Sequence, residues 1–283
     1  MRSFLLALLL VAIPSAAIQA QCRPGKDTNE AKLLAFYSAP LAFSSITPAE
    51  YSTTFGVKII GEAEPVPKPD PEIQKTGACF TSKSENTSLS PVFGRPRITI
   101  LLPRGFALEA SYLPPVTIAD ATPALFGLSA QKVFPLSALA RSLHLSVRGH
   151  AVRGNVKGPI TCPRKSLQSS SPLSPCYGTR PSRDTFSPNV TGVELALTGW
   201  TSDRSSAFFL GGGENWLKPR FQVGFTSATG SVDNTRVEVD LTRTVLFGGY
   251  SRRFNSKLDA TAEVYSVPQD VTLFRGALSY RLF

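Results

Sequence analysis

Long apolar runs are what this chain most lacks. Beyond its first twenty residues the longest is Leu33 to Phe43, and Ser38 and Pro40 interrupt it. A membrane-crossing helix needs about 20 consecutive apolar residues, so none is expected after residue 20. Histidine and methionine are also scarce, at two and one. No HExxH run occurs and the four cysteines include no CxxC pair, which removes the common sequence forms of a zinc site. Gly211, Gly212 and Gly213 have neither the spacing nor the strand-to-helix setting of a phosphate or dinucleotide loop. No metal, cofactor or catalytic residue is therefore assigned. A concentrated basic run is missing too: the formal charge of +10 is scattered along the chain, which argues against a nucleic-acid partner.

What is present begins with an export signal. Arg2, an apolar run over 4–13, and the small residues Ser15, Ala16, Ala17 and Ala20 read as a secretory signal peptide over 1–20, cleaved near Ala20. Cys22 follows, but Gln21 stands where a lipoprotein signal needs a small residue, so plain cleavage is expected. Residues 21–50 form an amino-terminal segment with a short helix over 28–38. Thr28 and Asn29 suit its start, Ala31 to Ala35 are mostly good helix formers, and Pro40 stops it. Leu33, Phe36 and Tyr37 make an apolar stripe. A plug inside a barrel and a lid on its rim both fit that stripe.

From residue 51 onward the pattern changes to alternation with period two, the signature of half-buried strands. The 23 prolines and 21 glycines punctuate runs rich in Val, Leu, Phe and Thr. Ile98, Ile100 and Leu102 oppose Arg97, Thr99 and Leu101; Leu143, Leu145 and Val147 oppose His144, Ser146 and Arg148. Likewise Val193, Leu195 and Leu197 oppose Glu194, Ala196 and Thr198. Phe221, Val223 and Phe225 oppose Arg220 and Gln222, while Val237, Val239 and Leu241 oppose Glu238 and Asp240. The last strand sets Phe274, Leu278, Tyr280 and Leu282 against Arg275, Ala277, Ser279 and Arg281, and it stops on Phe283.

That closing strand resembles the end of bacterial outer-membrane β-barrels. The resemblance implies an all-β fold, an antiparallel transmembrane barrel of about ten strands (between eight and twelve) occupying 51–283. The strands are expected near 51–61, 93–102, 105–114, 122–134, 138–157, 190–200, 205–226, 234–252, 257–267 and 271–283. The glycines at 211–213 would form a bulge in the seventh, because a turn there would put the cysteine-bearing segment on the inner side. Tyr280, Leu282 and Phe283 would form the assembly signal, with outer-membrane lipid and the barrel-assembly machinery as partners and the bacterial outer membrane as location. Oligomeric state is left open.

The inward face would carry Arg97, Glu109, Arg148, Glu194, Arg220, Arg236, Glu238, Asp240, Asp259, Glu263, Arg275 and Arg281. Charges of both signs in so narrow a lumen are expected to pair, giving a plugged or nearly closed bore. Cys162 and Cys176 bracket a Pro- and Ser-rich stretch and are expected to bridge it in an oxidising compartment. Cys22 and Cys79 complete the set by arithmetic alone; strand parity would let them meet only if the amino-terminal helix threads the lumen.

His144 and Ser146 resemble the His and Ser two apart on one strand in outer-membrane lipid A deacylases. A serine nucleophile also needs a third group to orient its base, and no acidic residue follows before Asp184. Asp184, Asp203 and Glu214 near strand ends invite comparison with paired protease carboxylates, but nothing in the sequence brings them together. The expected function is thus a non-enzymatic barrel, either a surface-loop anchor or a narrow solute pore. The alternatives are a lipid-modifying hydrolase and a secreted soluble barrel whose apolar face holds a small ligand.

Overall fold

The computed structural model of the chain describes residues 21–79, 83–84, 91–136 and 142–283. The expected signal peptide, with its cleavage point near Ala20, lies outside them. Ten strands make the barrel: β1 (Gly56–Pro65), β2 (Val92–Leu102), β3 (Phe106–Leu113), β4 (Thr122–Pro135) and β5 (Leu143–Gly158) in its first half. The second half is β6 (Val190–Trp200), β7 (Ser206–Leu217), β8 (Leu241–Arg253), β9 (Leu258–Val267) and β10 (Val271–Arg281). Each pairs antiparallel with the next, and β10 pairs with β1. That last pairing leaves no barrel strand with an open edge, the condition for crossing hydrocarbon with strands.

Most connections at one end are short and three at the other are long, so the long-loop end is outer by the rule for bacterial barrels. The outer loops hold a second, smaller sheet. Asp184–Ser187 pairs with the top of β5 and with Arg220–Gln222, which pairs with Arg236–Glu238. Gln21–Cys22 adds to it in parallel beside Arg236 and Val237. The amino-terminal segment therefore starts outside. Its helix α1 (Asn29–Ser38) is capped by Thr28, whose Oγ1 accepts from Ala31 N. Residues 39–50 then descend through the lumen to the start of β1. The helix is a plug element, buried nearly all round, and its stripe at Leu33 and Phe36 is only part of that contact.

Three expectations are corrected. The seventh strand does not run through a bulge to residue 226; β7 stops at Leu217 with unbroken pairing to β6 and β8. Gly211 serves packing instead, since a Cβ there would lie 2.5 Å from Phe247 Cζ, and Phe247 fills the lumen. The eighth strand starts at Leu241, leaving 218–240 as an outer loop. Within that loop the alternation is inverted: Phe221, Val223, Phe225, Val237 and Val239 are buried in one core with α1 rather than facing lipid. Above the membrane, water lies outside and apolar side chains turn inward.

Within the barrel the expected faces hold. Ile98, Leu108, Leu128, Leu195, Leu210, Leu246 and Leu278 point outward and exposed. Aromatics border this band, with Phe55 stacked on Phe283 at 5.9 Å and Phe208 against Tyr250 at 4.9 Å near the inner rim. An apolar belt with aromatic edges is the lipid-facing surface of such barrels. Leu195→Arg is expected to disfavour insertion by about 2 to 4 kcal/mol if it sits near the midplane. Asp240→Arg, on an exposed loop residue, should insert as wild type does. Heat-modifiable gel migration after refolding into vesicles measures both.

Candidate functional site: the plugged lumen and its cap

The descending segment 39–50 has no strand or helix partner, yet its backbone is buried. Buried carbonyls and amides need hydrogen bonds, and the barrel wall supplies them from side chains. Arg95 donates to the carbonyls of Leu41 at 3.1 Å and Ala42 at 2.6 Å. Arg148 donates to that of Phe43 at 3.0 Å, Arg97 to Ser44 at 2.8 Å and Arg275 to Ser45 at 3.0 Å. In return Glu194 accepts from Ser45 N at 3.1 Å, and Thr198 Oγ1 from Ala49 N at 3.1 Å. The guanidinium groups of Arg95, Arg97 and Arg148 also lie 4.5 to 5.4 Å from the centre of the Phe43 ring. Gly127 gives the ring its place, because a Cβ there would stand 2.9 Å from two of its carbons.

Every one of these arginines is held by carboxylates. Glu62 accepts from Arg95 Nε at 2.7 Å and Arg97 Nε at 2.6 Å, with Arg275 at 3.7 Å. Glu109 accepts from Arg97 at 2.8 Å, Arg148 at 3.0 Å and Thr99 at 3.0 Å. Glu263 holds Arg275. Arginine suits this work because its planar fork carries five donors, enough to bind carboxylate and carbonyl together. Of the expected lumen charges, Arg97, Glu109, Arg148, Glu194 and Glu263 stand in this network. Arg275 stands in it too, as the alternation of the last strand predicts. Arg95 and Glu62 belong to it as well; the sequence pattern ends the first strand at residue 61, whereas β1 runs on to Pro65 and carries Glu62 into the lumen. Arg220, Arg236, Glu238 and Asp240 do not. They lie in the outer loop, where Arg220 meets Glu238 at 3.1 Å and Asp240 approaches exposed Lys218.

At the inner end Glu50 closes the plug. It accepts from Lys58 at 2.6 Å and from Arg281 at 2.8 and 2.9 Å. Trp200 Nε1 donates to the neighbouring Ala49 carbonyl at 3.2 Å. Burial opposes ionisation of Glu50, but Lys58 and Arg281 outweigh it and hold its pKa at about 2. At the outer end Glu30, the second helical residue, accepts from the amides of Gly77, Ala78 and Cys79 at 2.7 to 3.1 Å. Burial again opposes ionisation, and these backbone donors keep its pKa below the usual carboxylate value. Beside it Cys22 and Cys79 are bridged, the pairing that only a threaded lumen permits. Cys162 and Cys176 form the other bridge. Asp184 anchors the cap beneath it, accepting from Thr161 N at 2.6 Å, Ser182 Oγ at 2.7 Å and Gly224 N at 3.0 Å.

The chain is a closed, ten-stranded antiparallel β-barrel with an apolar belt outside, filled by its own amino-terminal segment.

The hydrolase constellation does not assemble. Ser146 Oγ donates to the Ala196 carbonyl at 3.4 Å, and His144 Nδ1 has no hydrogen-bond partner among the described residues. Asp184 is committed to the cap, and Asp203 caps the inner turn by accepting from Thr201 and Ser205. Glu214 lies on the outward face of β7. His150 instead joins a polar relay, Nε2 to Asn215 Oδ1 at 3.0 Å and Asn215 Nδ2 to the Tyr265 hydroxyl at 3.0 Å.

No protein-family description matches the chain, and no curated protein matches it. Among solved structures it is similar to Ail, the attachment invasion locus protein of Yersinia pestis, in complex with the heparin analogue sucrose octasulfate. That match has 10% identity and a TM-score of 0.24, over 81% of this chain and 97% of Ail. The outer-membrane protein Omp33 of Acinetobacter baumannii matches at 9% identity and TM-score 0.30, over 83% and 100%. A TodX deletion mutant, a monoaromatic hydrocarbon channel, matches at 12% and 0.32, over 80% of this chain and 66% of that one. Scores this low carry no argument; the barrel reading rests on strand closure and on the two faces of the wall.

Two outcomes are expected. Glu62→Gln leaves Arg95 and Arg97 without their shared carboxylate, and breaking such a buried pair costs about 3 to 5 kcal/mol, read as a lower denaturant midpoint for loss of heat-modifiable migration. For Glu50 the folded pKa lies below the unfolded one, so its contribution is present above about pH 4.5 and is lost as pH falls towards 2. Trp200 emission should change across that window, and Glu50→Gln should show the low-pH spectrum at pH 7.

Proposed function

We propose that this barrel is a non-enzymatic, non-conducting anchor in the bacterial outer membrane that holds a disulfide-clasped cap at the cell surface. The observation that carries the reading is the seal at mid-lumen: the carbonyls of residues 41–45 are bound by Arg95, Arg97, Arg148 and Arg275 from the surrounding wall. A solute pore would need a bore that these groups occupy. Above the seal, most of the chain outside the barrel is gathered into one cap, stitched by two bridges and the added sheet. Leu173, fully exposed between Cys162 and Cys176, presents an apolar side chain at the loop surface. In this reading outer-membrane lipid surrounds the apolar belt, and the barrel-assembly machinery recognises the aromatic β10 strand through Tyr280, Leu282 and Phe283.

Two measurements test the reading. In planar bilayers the purified wild type should give no conductance steps; regular channel openings would overturn the anchor in favour of the narrow pore. In intact cells a membrane-impermeant thiol reagent should leave wild type unlabelled until reduction, and should label Cys79 in Cys22→Ser and Cys176 in Cys162→Ser. If both variants are protected in intact cells and labelled only after lysis, the cap faces the periplasm and surface display is wrong.

A further inference from the structure

Between α1 and the outer third of the wall lies a cavity of about 240 Å³. The plug contributes Leu34 and Leu41 to its lining, the wall Phe93 and Leu113, and the cap Phe186 and Phe221. Of the twenty described residues that line it only Glu30 is charged, and that carboxylate is already taken by three backbone amides. Below it the Arg and Glu network closes the lumen. To one side lies the loop between β3 and β4, where Val116 and Ile118 are 56% and 63% exposed.

We infer that this cavity is a binding site for a small, uncharged apolar molecule of aromatic-ring or short-hydrocarbon size. The inference goes beyond the anchoring role and does not depend on it. Water gains little in this pocket, which is open on one side and lined mostly by apolar side chains, because an ordered water needs two to four polar partners. An engineered apolar cavity of about 150 Å³ already holds benzene, so this one has room for a fused or substituted ring. A charged ligand would lose its hydration with no free counter-charge to replace it. A phospholipid tail would bring its phosphate to a lining that has no lysine or arginine among the described residues. A peptide would bring backbone groups that an apolar wall cannot satisfy. The ligand reaches the cavity from the outer side, and the filled lumen stops it there, so the site captures rather than conducts.

The test is equilibrium dialysis of radiolabelled naphthalene against the full chain in detergent micelles, with protein-free micelles as background. Wild type should hold about one equivalent above background. Ala121→Phe and Leu33→Trp each place a ring in the cavity from a different wall, and either should lower that excess at least tenfold while heat-modifiable migration stays as in wild type. Wild-type uptake equal to background would overturn the proposal. So would full retention by both filled variants, which would place the probe on the lipid-facing belt. One phospholipid per barrel, released by naphthalene and seen by native mass spectrometry, would assign the cavity to an acyl chain and also overturn it. If one variant fails to insert, the other decides.

Discussion

A stretch of backbone with no strand partner among the described residues passes through a lumen packed with side chains, and its buried carbonyls must be satisfied by something. That requirement organises the molecule. Arginine is the side chain that can reach from a wall, bind a carbonyl and still be held by a carboxylate. Each arginine, once buried, needs its glutamate, because an unpaired buried charge costs several kcal/mol. Glu62, Glu109 and Glu263 therefore follow from the plug as surely as Arg95, Arg97, Arg148 and Arg275 do. Phe43, ringed by guanidinium groups, adds an aromatic face on which those cations stack. The same network that neutralises the lumen also fixes the register of the plug, since each carbonyl from 41 to 45 has its own donor.

The wall and the cap obey one rule in opposite senses. Along β6 the apolar residues Val193, Leu195 and Leu197 face out, because lipid is outside and charge is inside. Along 221–239 the apolar residues Phe221, Val223, Phe225, Val237 and Val239 face in, because that part stands above the belt. Period two signals a strand with two unlike faces. It does not say which face is wet, and that depends on height relative to the membrane.

This is where reading the sequence succeeded and where it stopped. The ten strands and the inward side of β2, β5, β6 and β10 were legible because a closed barrel forces alternation and parity on the chain. The bridge between Cys162 and Cys176 was legible from a local spacing. Arg220, Glu238 and Asp240 were misplaced, since their alternation is real but belongs to the cap. Three consecutive glycines at 211–213 suit a bulge and close packing equally well in sequence, and packing decides here, because Gly211 is small to admit Phe247. The plug was legible only as one of two readings of the helix, plug or lid, and its path was not, because what the arginines of the wall grip are the plug's own backbone carbonyls, which every residue carries. The one hint was conditional: Cys22 and Cys79 can bridge only if the amino-terminal segment threads the bore.

That threading has a consequence for how the structure holds together. The segment is fastened at three heights: the Cys22–Cys79 bridge and Glu30 above, the arginine seal in the middle, and Glu50 with Lys58 and Arg281 below. Glu50 lies only a few residues before β1, whose partner across the closing seam is β10. Lys58 and Arg281 face each other across that seam, so one carboxylate bonds to both strands that close the barrel. The plug thus reinforces the seam that closes the barrel. A segment passing through a filled lumen, bridged on one side and ion-paired to the seam on the other, shifts only if the bridge above or the Glu50 ion pairs below are broken, and the cap it carries is held to the outer rim for the same reason.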